Sequence, residues 1–116
     1  MMRFYRERIK EVAPASTFTI EGKPVEYGYI RKIERVTLVN KTGDRGSISI
    51  YITGHGYKHY VDTTTNLTSK PLMPSEVPYH LRPEEGLGFD ISGVNTGDEI
   101  EVHITGIERL YDSLKD

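Results

Sequence analysis

Three stretches of this sequence alternate aliphatic and polar residues with a period of two. In SISIYIT, residues 47–53, the side chains of Ile48, Ile50 and Ile52 would share one face of a strand, and Ser49 and Tyr51 would share the other. The pattern returns in LGFDISG, residues 87–93, and in IEVHITGI, residues 100–107. This alternation is typical of antiparallel sheets with one face in the core, and it does not fit the 3.6-residue period of a helix.

Turn-forming residues separate these runs from each other and from weaker ones. Asn, Asp, Gly and Pro cluster in EGKP, NKTGDRG, RPEEG and VNTGDE, and we expect NKTGDRG to join its flanking strands as a hairpin. In YIRKIERVTLVN, the spacing of Ile30, Ile33 and Val36 is irregular, which predicts a bulge near residues 32–34. About eight short strands without helical crossovers indicate an all-β fold, an antiparallel β-sandwich or jelly-roll.

The first segment, RFYRERIKEV, fits two conformations. Tyr5, Ile9 and Val12 recur at near-helical spacing, whereas strict alternation of the same residues suits an extended chain. We therefore predict a charged N-terminal arm over residues 1–14, with its conformation open. A β-sandwich domain over residues 15–111 and a short tail over residues 112–116 complete the predicted organisation.

Size and charge exclude several classes of protein. The 116 residues suit one domain, and the net charge of −2 gives no overall attraction to nucleic acid or anionic lipid. With no cysteine there is no disulfide, no thiolate metal site and no cysteine nucleophile. The charged start does not resemble a secretion signal, and no apolar run reaches the roughly 20 residues of a membrane helix. We expect no membrane partner.

Residues that could support catalysis are few. His55, His59 and Asp62 are spaced so that they could hold a divalent metal, although a polar loop flanked by glycines is the simpler explanation. His80 and His103 alternate with core residues and should point outward. The acidic pairs at 84–85 and 98–99 lie side by side in turns, not across a cleft as in glycosidases. Nucleophile-elbow and phosphate-loop motifs are absent, so we expect no catalytic residue, no metal and no cofactor.

Charged and aromatic residues suggest surfaces for recognition. Basic residues form two clusters, Arg3, Arg6, Arg8 and Lys10, then Arg31, Lys32 and Arg35. Glutamates interleave with both clusters and should cancel the local field, so nucleic acid is disfavoured as a partner. Of the eight tyrosines, Tyr51, Tyr57 and Tyr60 could form a protein-binding or sugar-binding surface.

Three phrases of the sequence support a family resemblance. They are GYIRKIERVTLVNKTGDRGSISIYI, LRPEEGLGFDISG and GDEIEVHITGIE, marked by Val39 and Asn40, by Leu81 and Pro83, and by Gly106 and Glu108. Together they resemble small virion-associated β-sandwich proteins of tailed bacteriophages, over roughly residues 15–110. The resemblance implies a non-enzymatic capsid decoration, head-fibre or head–tail accessory protein. It would be made in the host cytoplasm and found on the virion, as a homo-oligomer that binds the major capsid protein or another virion protein.

We predict partner-binding residues in two places. Those in the arm are Phe4, Tyr5, Arg6, Arg8 and Ile9. Those in a loop at residues 54–66, in which we expect one strand at about residues 58–64, are Tyr57, Lys58, His59 and Tyr60. Two alternatives stay open. One is a carbohydrate-binding or adhesin-like module that uses the surface tyrosines on a host surface glycan. The other is a small metalloenzyme built on His55, His59 and Asp62.

Overall fold

The computed structural model describes residues 2–70 and 78–110, apart from the side chains of residues 63–65. This part of the chain forms eight strands: β1 (Met2–Val12), β2 (Thr17–Glu21), β3 (Tyr29–Asn40), β4 (Ser47–Gly54), β5 (Tyr57–Asn66), β6 (Tyr79–Leu81), β7 (Gly86–Ser92) and β8 (Glu99–Leu110). Among the described residues, no helix is long and apolar enough to cross a membrane. The prediction of an all-β fold with about eight strands is confirmed.

The strands form two four-stranded antiparallel sheets. Sheet A has the order β1-β8-β3-β6, and sheet B has the order β2-β7-β4-β5. Each sheet turns one row of aliphatic and aromatic side chains toward the other, and most of these are at least 95% buried. The central members are Val36, Leu38, Val102 and Ile104 from sheet A and Ile48, Ile50, Phe89 and Ile91 from sheet B. Two sheets packed face to face over one apolar core make a β-sandwich, as the alternating runs predict.

The predicted bulge in β3 is present. The pairing of β3 with β8 shifts register between Ile33 and Arg35, so that Ile33 and Val36 both reach the core. The bulge brings the β3 backbone against β8 at Gly106, where a Cβ atom would lie 2.0 Å from the carbonyl oxygen of Lys32. Glycine is required at this position because the obstacle is main chain and cannot rotate away.

The turn NKTGDRG does not form the predicted hairpin, because β3 belongs to sheet A and β4 to sheet B. A polar cluster holds this crossover. The buried Asn40 donates hydrogen bonds from Nδ2 to the carbonyl of Arg45 and to Asp98 Oδ2, each at 3.1 Å. Arg45 Nη2 lies 2.6 Å from Asp98 Oδ1. Turn composition predicts where a chain bends, but not which strand it then joins.

The segment predicted as an N-terminal arm is a strand of the sandwich. β1 pairs with β8 in an unbroken register from Met2 opposite Arg109 to Val12 opposite Glu99. Alternate residues reach inward, since Tyr5 and Ile9 pack against the core. The segment is therefore extended, not helical, and residues 2–12 lie inside the architecture rather than before it. The predicted tail at residues 112–116 is outside the described residues.

Candidate interaction face

The outer face of sheet A gathers most of the positive charge of the molecule. We call it the basic face, defined by eight cationic residues: Arg6, Arg8, Lys10, Lys32, Arg35, Lys41, Arg82 and Arg109. Among the described residues, three carboxylates share this face, those of Glu34, Glu99 and Glu101. Because the whole chain has a net charge of −2, the remaining surface is net negative. The molecule is therefore electrostatically two-sided.

Strand order brings the two basic clusters of the sequence together. β1 and β3 flank β8, so Arg6 and Arg35 lie on either side of Thr105, and Arg8 lies next to His103. Alternation sends the neighbouring glutamate of β1 to the other side, where the Glu7 carboxylate accepts hydrogen bonds from the backbone N–H of Lys23. The expectation that interleaved glutamates cancel the field holds only in part for this face. Glu34 stays on it and lies 4.0 Å from Lys32 Nζ, but alternation along β1 turns Glu7 to the opposite side.

Two of the clustered arginines turn inward and stabilise the edge of sheet A. The buried Glu108 accepts from Arg31 Nε at Oε2 and from Arg3 Nε at Oε1, both at 2.9 Å. The guanidinium of Arg31 lies 3.6 Å from the centre of the Tyr5 ring, and that of Arg3 lies 4.0 Å from the centre of the Tyr29 ring. This stack clamps β1 to β8 and β3. Burial, then a hydrogen bond to Glu7, raises the pKa of Tyr5.

Glu101 partly neutralises the basic face. Its carboxylate lies 3.0 Å from Lys41 Nζ, 3.1 Å from His103 Nε2 and 3.6 Å from Arg8 Nη2. The hydrogen bonds from Lys41 and His103 lower the pKa of Glu101 to about 2. The other cations of the face have less compensation. In the described part of the chain, five of them form no ion pair: Arg6, Lys10, Arg35, Arg82 and Arg109.

The basic face also carries apolar surface. A groove of about 600 Å³ is lined by Ile30, Lys32, His80, Leu81, Arg82, Ile107 and Arg109, so its floor is aliphatic and its rim is cationic. Phe4 is 95% exposed and lies opposite Ile107 in the β1–β8 pairing. An exposed aromatic ring within a field of uncompensated cations suits a partner surface that is acidic and partly apolar.

The free edge of β1 borders this face. β1 is the last strand of sheet A, and its pairing with β8 has no register shift over 11 residues. Within the described residues, the backbone of residues 2–12 makes no hydrogen bond beyond this pairing. The long edge strand of sheet B, β5, differs because its pairing with β4 shifts register twice. Bulges protect an edge from pairing with another chain, and β1 lacks them.

The second predicted group of partner-binding residues lies on the other sheet. Within the predicted loop at 54–66, the expected strand is present and is longer than predicted, as β5. β4 and β5 form a tight hairpin whose turn residues His55 and Gly56 have φ values of 54° and 86°. Tyr57, Lys58, His59 and Tyr60 follow this turn at the edge of sheet B formed by β5. β1 lies against β2, at the opposite edge of that sheet, as the Glu7–Lys23 contact shows. The two predicted groups therefore do not form one site.

The tyrosines do not form a single platform for a sugar ring. Tyr51 is 0% exposed, while Tyr57 and Tyr60 are 60% and 47% exposed. Tyr57 and Tyr60 stand three residues apart in a regular part of β5, which places their rings on opposite faces. Tyr60 instead packs edge-on against Tyr51 at 5.5 Å and donates a hydrogen bond to Asp90 at 2.5 Å.

The histidines and carboxylates singled out from the sequence are also dispersed. In residues 2–70 and 78–110, no group of three or more His, Cys, Asp or Glu side chains is arranged to hold a metal. His55 Nδ1 lies 3.6 Å from Glu84, away from the basic face. His80 and His103 point outward as predicted, the first lining the groove and the second contacting Glu101.

Sequence reasoning missed the Arg31–Glu108 pair and the Asp98 cluster. A usable signal existed for the first, since Arg31 precedes the core residue Ile33 by two positions and so shares its face. Hydrogen bonds from Arg45, then from the backbone of Asn95 and from Asn40, hold the pKa of Asp98 well below its usual range. No local pattern reveals that cluster, because its members come from two distant parts of the chain, residues 40–45 and 95–98.

Comparison with known proteins gives a fold-level likeness only. No protein-family model matches the sequence, and no curated protein is similar to it. A chain from Bacillus endospore appendages, described as disulfide-linked pili, is 16% identical over 94% of this chain and 88% of its own, with a TM-score of 0.47. A chain of infectious bursal disease virus, Gt strain, is 14% identical with a TM-score of 0.47; the match spans 92% of this chain but 32% of the viral one.

The N-terminal cellulose-binding domain of Cellulomonas fimi β-1,4-glucanase C is 17% identical over 89% of this chain and 76% of its own, with a TM-score of 0.44. Likenesses this distant identify neither a family nor a function. The β-sandwich assignment rests on the chain's own two sheets.

Proposed function

We propose that this chain is a non-enzymatic structural module that attaches to a larger protein assembly through the basic face and the adjoining edge of β1. In the form implied by the sequence resemblance, the assembly is a bacteriophage particle that the chain decorates or stabilises on the virion. The partner is then the major capsid protein or another virion protein. The observation that carries the proposal is the concentration of eight cations against three carboxylates on one face of a net acidic chain.

The groups with strongly shifted pKa values support a binding role over a catalytic one. Asp98 and Glu101 are held ionised by ion pairs that stabilise the crossover and the sheet. In the described part of the chain, the groove is lined by Lys, Arg, His and aliphatic side chains. Such a lining suits the binding of an anion.

Self-association remains a prediction of the proposal, because decoration of a symmetric particle uses symmetric contacts. Light scattering across a concentration range measures it directly. A persistent trimer, pentamer or hexamer would match the symmetry axes of a particle. A monomer would mean that the symmetric arrangement of copies comes from the partner assembly alone.

The proposal is tested by co-sedimentation of the purified chain with purified particles of the phage that encodes it. A double reversal on the basic face, Arg6→Glu with Lys10→Glu, should weaken binding at least tenfold, because both side chains are exposed and neither forms an ion pair in the described part of the chain. A matched comparison of single reversals sets Lys10→Glu against Lys70→Glu, which changes the net charge equally at an exposed residue outside the basic face. Added salt should weaken binding of the unmodified chain. Equal binding by Lys10→Glu and Lys70→Glu, or no binding by the unmodified chain, would contradict the proposal.

A further inference from the structure

We infer that the partner segment at this site is an extended strand with carboxylates at every second position, which pairs antiparallel or parallel with the free edge of β1. This inference rests on the proposed function, since it specifies the chemistry of the partner at the same surface. Strand addition to an exposed sheet edge is a common mode of peptide recognition, in which main-chain hydrogen bonds supply affinity and alternate side chains supply specificity.

The backbone of β1 provides the template. Its 11 residues form one regular strand at the end of sheet A, with one side paired to β8 throughout. In the described part of the chain the other side has no backbone partner. At about 3.3 Å per residue, the exposed edge is long enough to pair with a segment of seven or more residues.

The outer row of β1 selects for negative charge. Arg6, Arg8 and Lys10 occupy alternate positions, so their side chains are spaced by about 7 Å, which is also the spacing of alternate side chains in an added strand. Opposite charges directly across two strands stabilise the pairing, whereas like charges destabilise it. Arg6 and Lys10 are available for this because neither forms an ion pair among the described residues.

The inner row offers apolar contact at two positions, Tyr5 and Ile9. They lie on either side of Glu7, whose carboxylate already accepts hydrogen bonds from the backbone of Lys23. Tyr5 and Ile9 are half-buried at the margin of the core, so a strand beyond them would extend the core with its own inward side chains. Phe4, at 95% exposure, offers an aromatic contact beside the charged row. The matching partner sequence therefore alternates Asp or Glu with Val, Ile or Thr over five to seven residues.

A second copy of this chain fits the edge poorly. If two β1 strands paired antiparallel along their whole length, centred on Glu7, Arg6 of one copy would face Arg8 of the other, and Glu7 would face Glu7. Repeated cations on an edge are one of the ways in which proteins prevent self-pairing. The edge of β1 is therefore poorly suited to pair with a second copy of β1 and well suited to pair with an acidic strand.

Single-stranded nucleic acid also carries regularly spaced negative charge, but proteins that bind it without sequence preference use several exposed aromatic rings as stacking platforms. On the strands of the basic face, the described residues expose one such ring, that of Phe4. The free backbone edge, moreover, presents both N–H donors and C=O acceptors, which match a second strand, whereas a phosphate diester offers acceptors only. The observations therefore favour a polypeptide.

The test uses the full chain and three fluorescent peptides in anisotropy titrations. The first alternates Glu with Val and Thr over 11 residues, the second has the same composition with its glutamates contiguous, and the third is the first with N-methyl groups on every second amide. The alternating peptide should bind at least tenfold more tightly than either of the others. Arg6→Glu with Lys10→Glu should abolish this binding, and of the single reversals Lys10→Glu should weaken it whereas Lys70→Glu should leave it unchanged.

Four results would overturn the inference. Equal binding of the alternating and contiguous peptides would show charge attraction without strand pairing. Tighter binding of an oligo-dT of similar charge would identify nucleic acid as the occupant. A dimer in light scattering that Phe4→Ala disrupts would identify a second copy. Particle binding that depends on Arg6 and Lys10, without binding of any peptide, would reject strand addition while retaining the proposed function. Binding of the alternating peptide without binding of particles would instead retain strand addition and reject the proposed function.

Discussion

The outer faces of the two sheets are built by the same alternation, yet they differ in how their polar groups are satisfied. On sheet A, five cations have no ion-pair partner among the described residues, and Phe4 stands in solvent. On sheet B, the polar groups contact one another. The carboxylate of Asp90 alone accepts hydrogen bonds from the hydroxyls of Tyr60 and Thr19 and forms an ion pair with Lys58. Polar groups that already contact one another gain little from a binding partner. Cations without ion pairs, beside exposed apolar surface, can gain from an acidic and partly apolar partner.

Tyr51 shows how side chains on the outer face of sheet B pack against one another. It points away from the core, yet it is fully buried because its ring packs over Gly88. A Cβ atom at position 88 would lie 2.1 Å from that ring. Lys58 Nζ covers the ring from 4.5 Å, and the hydroxyl donates to Glu21 at 3.3 Å. Burial, together with the nearby charge of Glu21, raises the pKa of Tyr51.

The largest expected effect is on the clamp that holds β1 in sheet A. Glu108→Gln removes the carboxylate between Arg31 and Arg3 and leaves the buried guanidinium of Arg31 without a counter-charge. Breaking such a pair costs about 3 kcal/mol of unfolding free energy. Urea denaturation measures it, with Glu34→Gln on the exposed outer face as the control that should change stability by less than about 0.5 kcal/mol. Similar losses in the two variants would contradict the assignment of the clamp.

The second-largest expected effect on stability tests the packing of Tyr51 over Gly88 on the outer face of sheet B. Gly88→Ala should cost about 2 kcal/mol because the fully buried ring of Tyr51 has little room to move. Combining it with Tyr51→Ala removes the obstacle, so the double variant should be more stable than the sum of the single losses predicts. Strict additivity in urea denaturation would show that the ring does not determine the need for glycine.

A third test uses pH to separate Glu101 from the rest of the basic face. Its folded-state pKa, at about 2, is depressed below the ordinary glutamate value of 4.5. A depressed pKa contributes stability that is present above the unfolded value and is lost as pH falls toward the folded one. Between pH 4.5 and 2, the urea midpoint of Glu101→Gln should therefore fall less than that of the unmodified chain. If the urea midpoint fell equally in both chains over this pH range, other carboxylates, such as Asp98, would account for the loss of stability.

The smallest expected effect is at the surface of sheet B. Tyr60→Phe removes the hydrogen bond to Asp90, and because both groups are partly exposed, the loss should be about 0.5 kcal/mol or less. The same variant should bind particles as the unmodified chain does, since Tyr60 lies outside the basic face. Weakened particle binding by Tyr60→Phe would show that the sheet B edge also contacts the partner.

Local pattern and long-range pairing account for what the sequence revealed and what it did not. Ile50, Phe89 and Val102 were identifiable as core because period-two alternation is a local property. The β3 bulge was visible for the same reason. The crossover after Asn40 and the incorporation of residues 2–12 into sheet A depend on which strands pair, which no local window contains. Alternation could have sorted Arg6 from Glu7, but only the strand order shows that Arg6 and Arg35 share a surface.

The most direct test of the central claim is amide hydrogen exchange of the full chain, free and bound to particles. Binding through sheet A should slow exchange at every second amide of residues 2–12, where backbone N–H groups of the free edge point away from β8, and should leave residues 57–62 of β5 unchanged. Slowed exchange at residues 57–62 with unchanged exchange in β1 would contradict the account, and it would place the partner on the face whose polar groups are already satisfied.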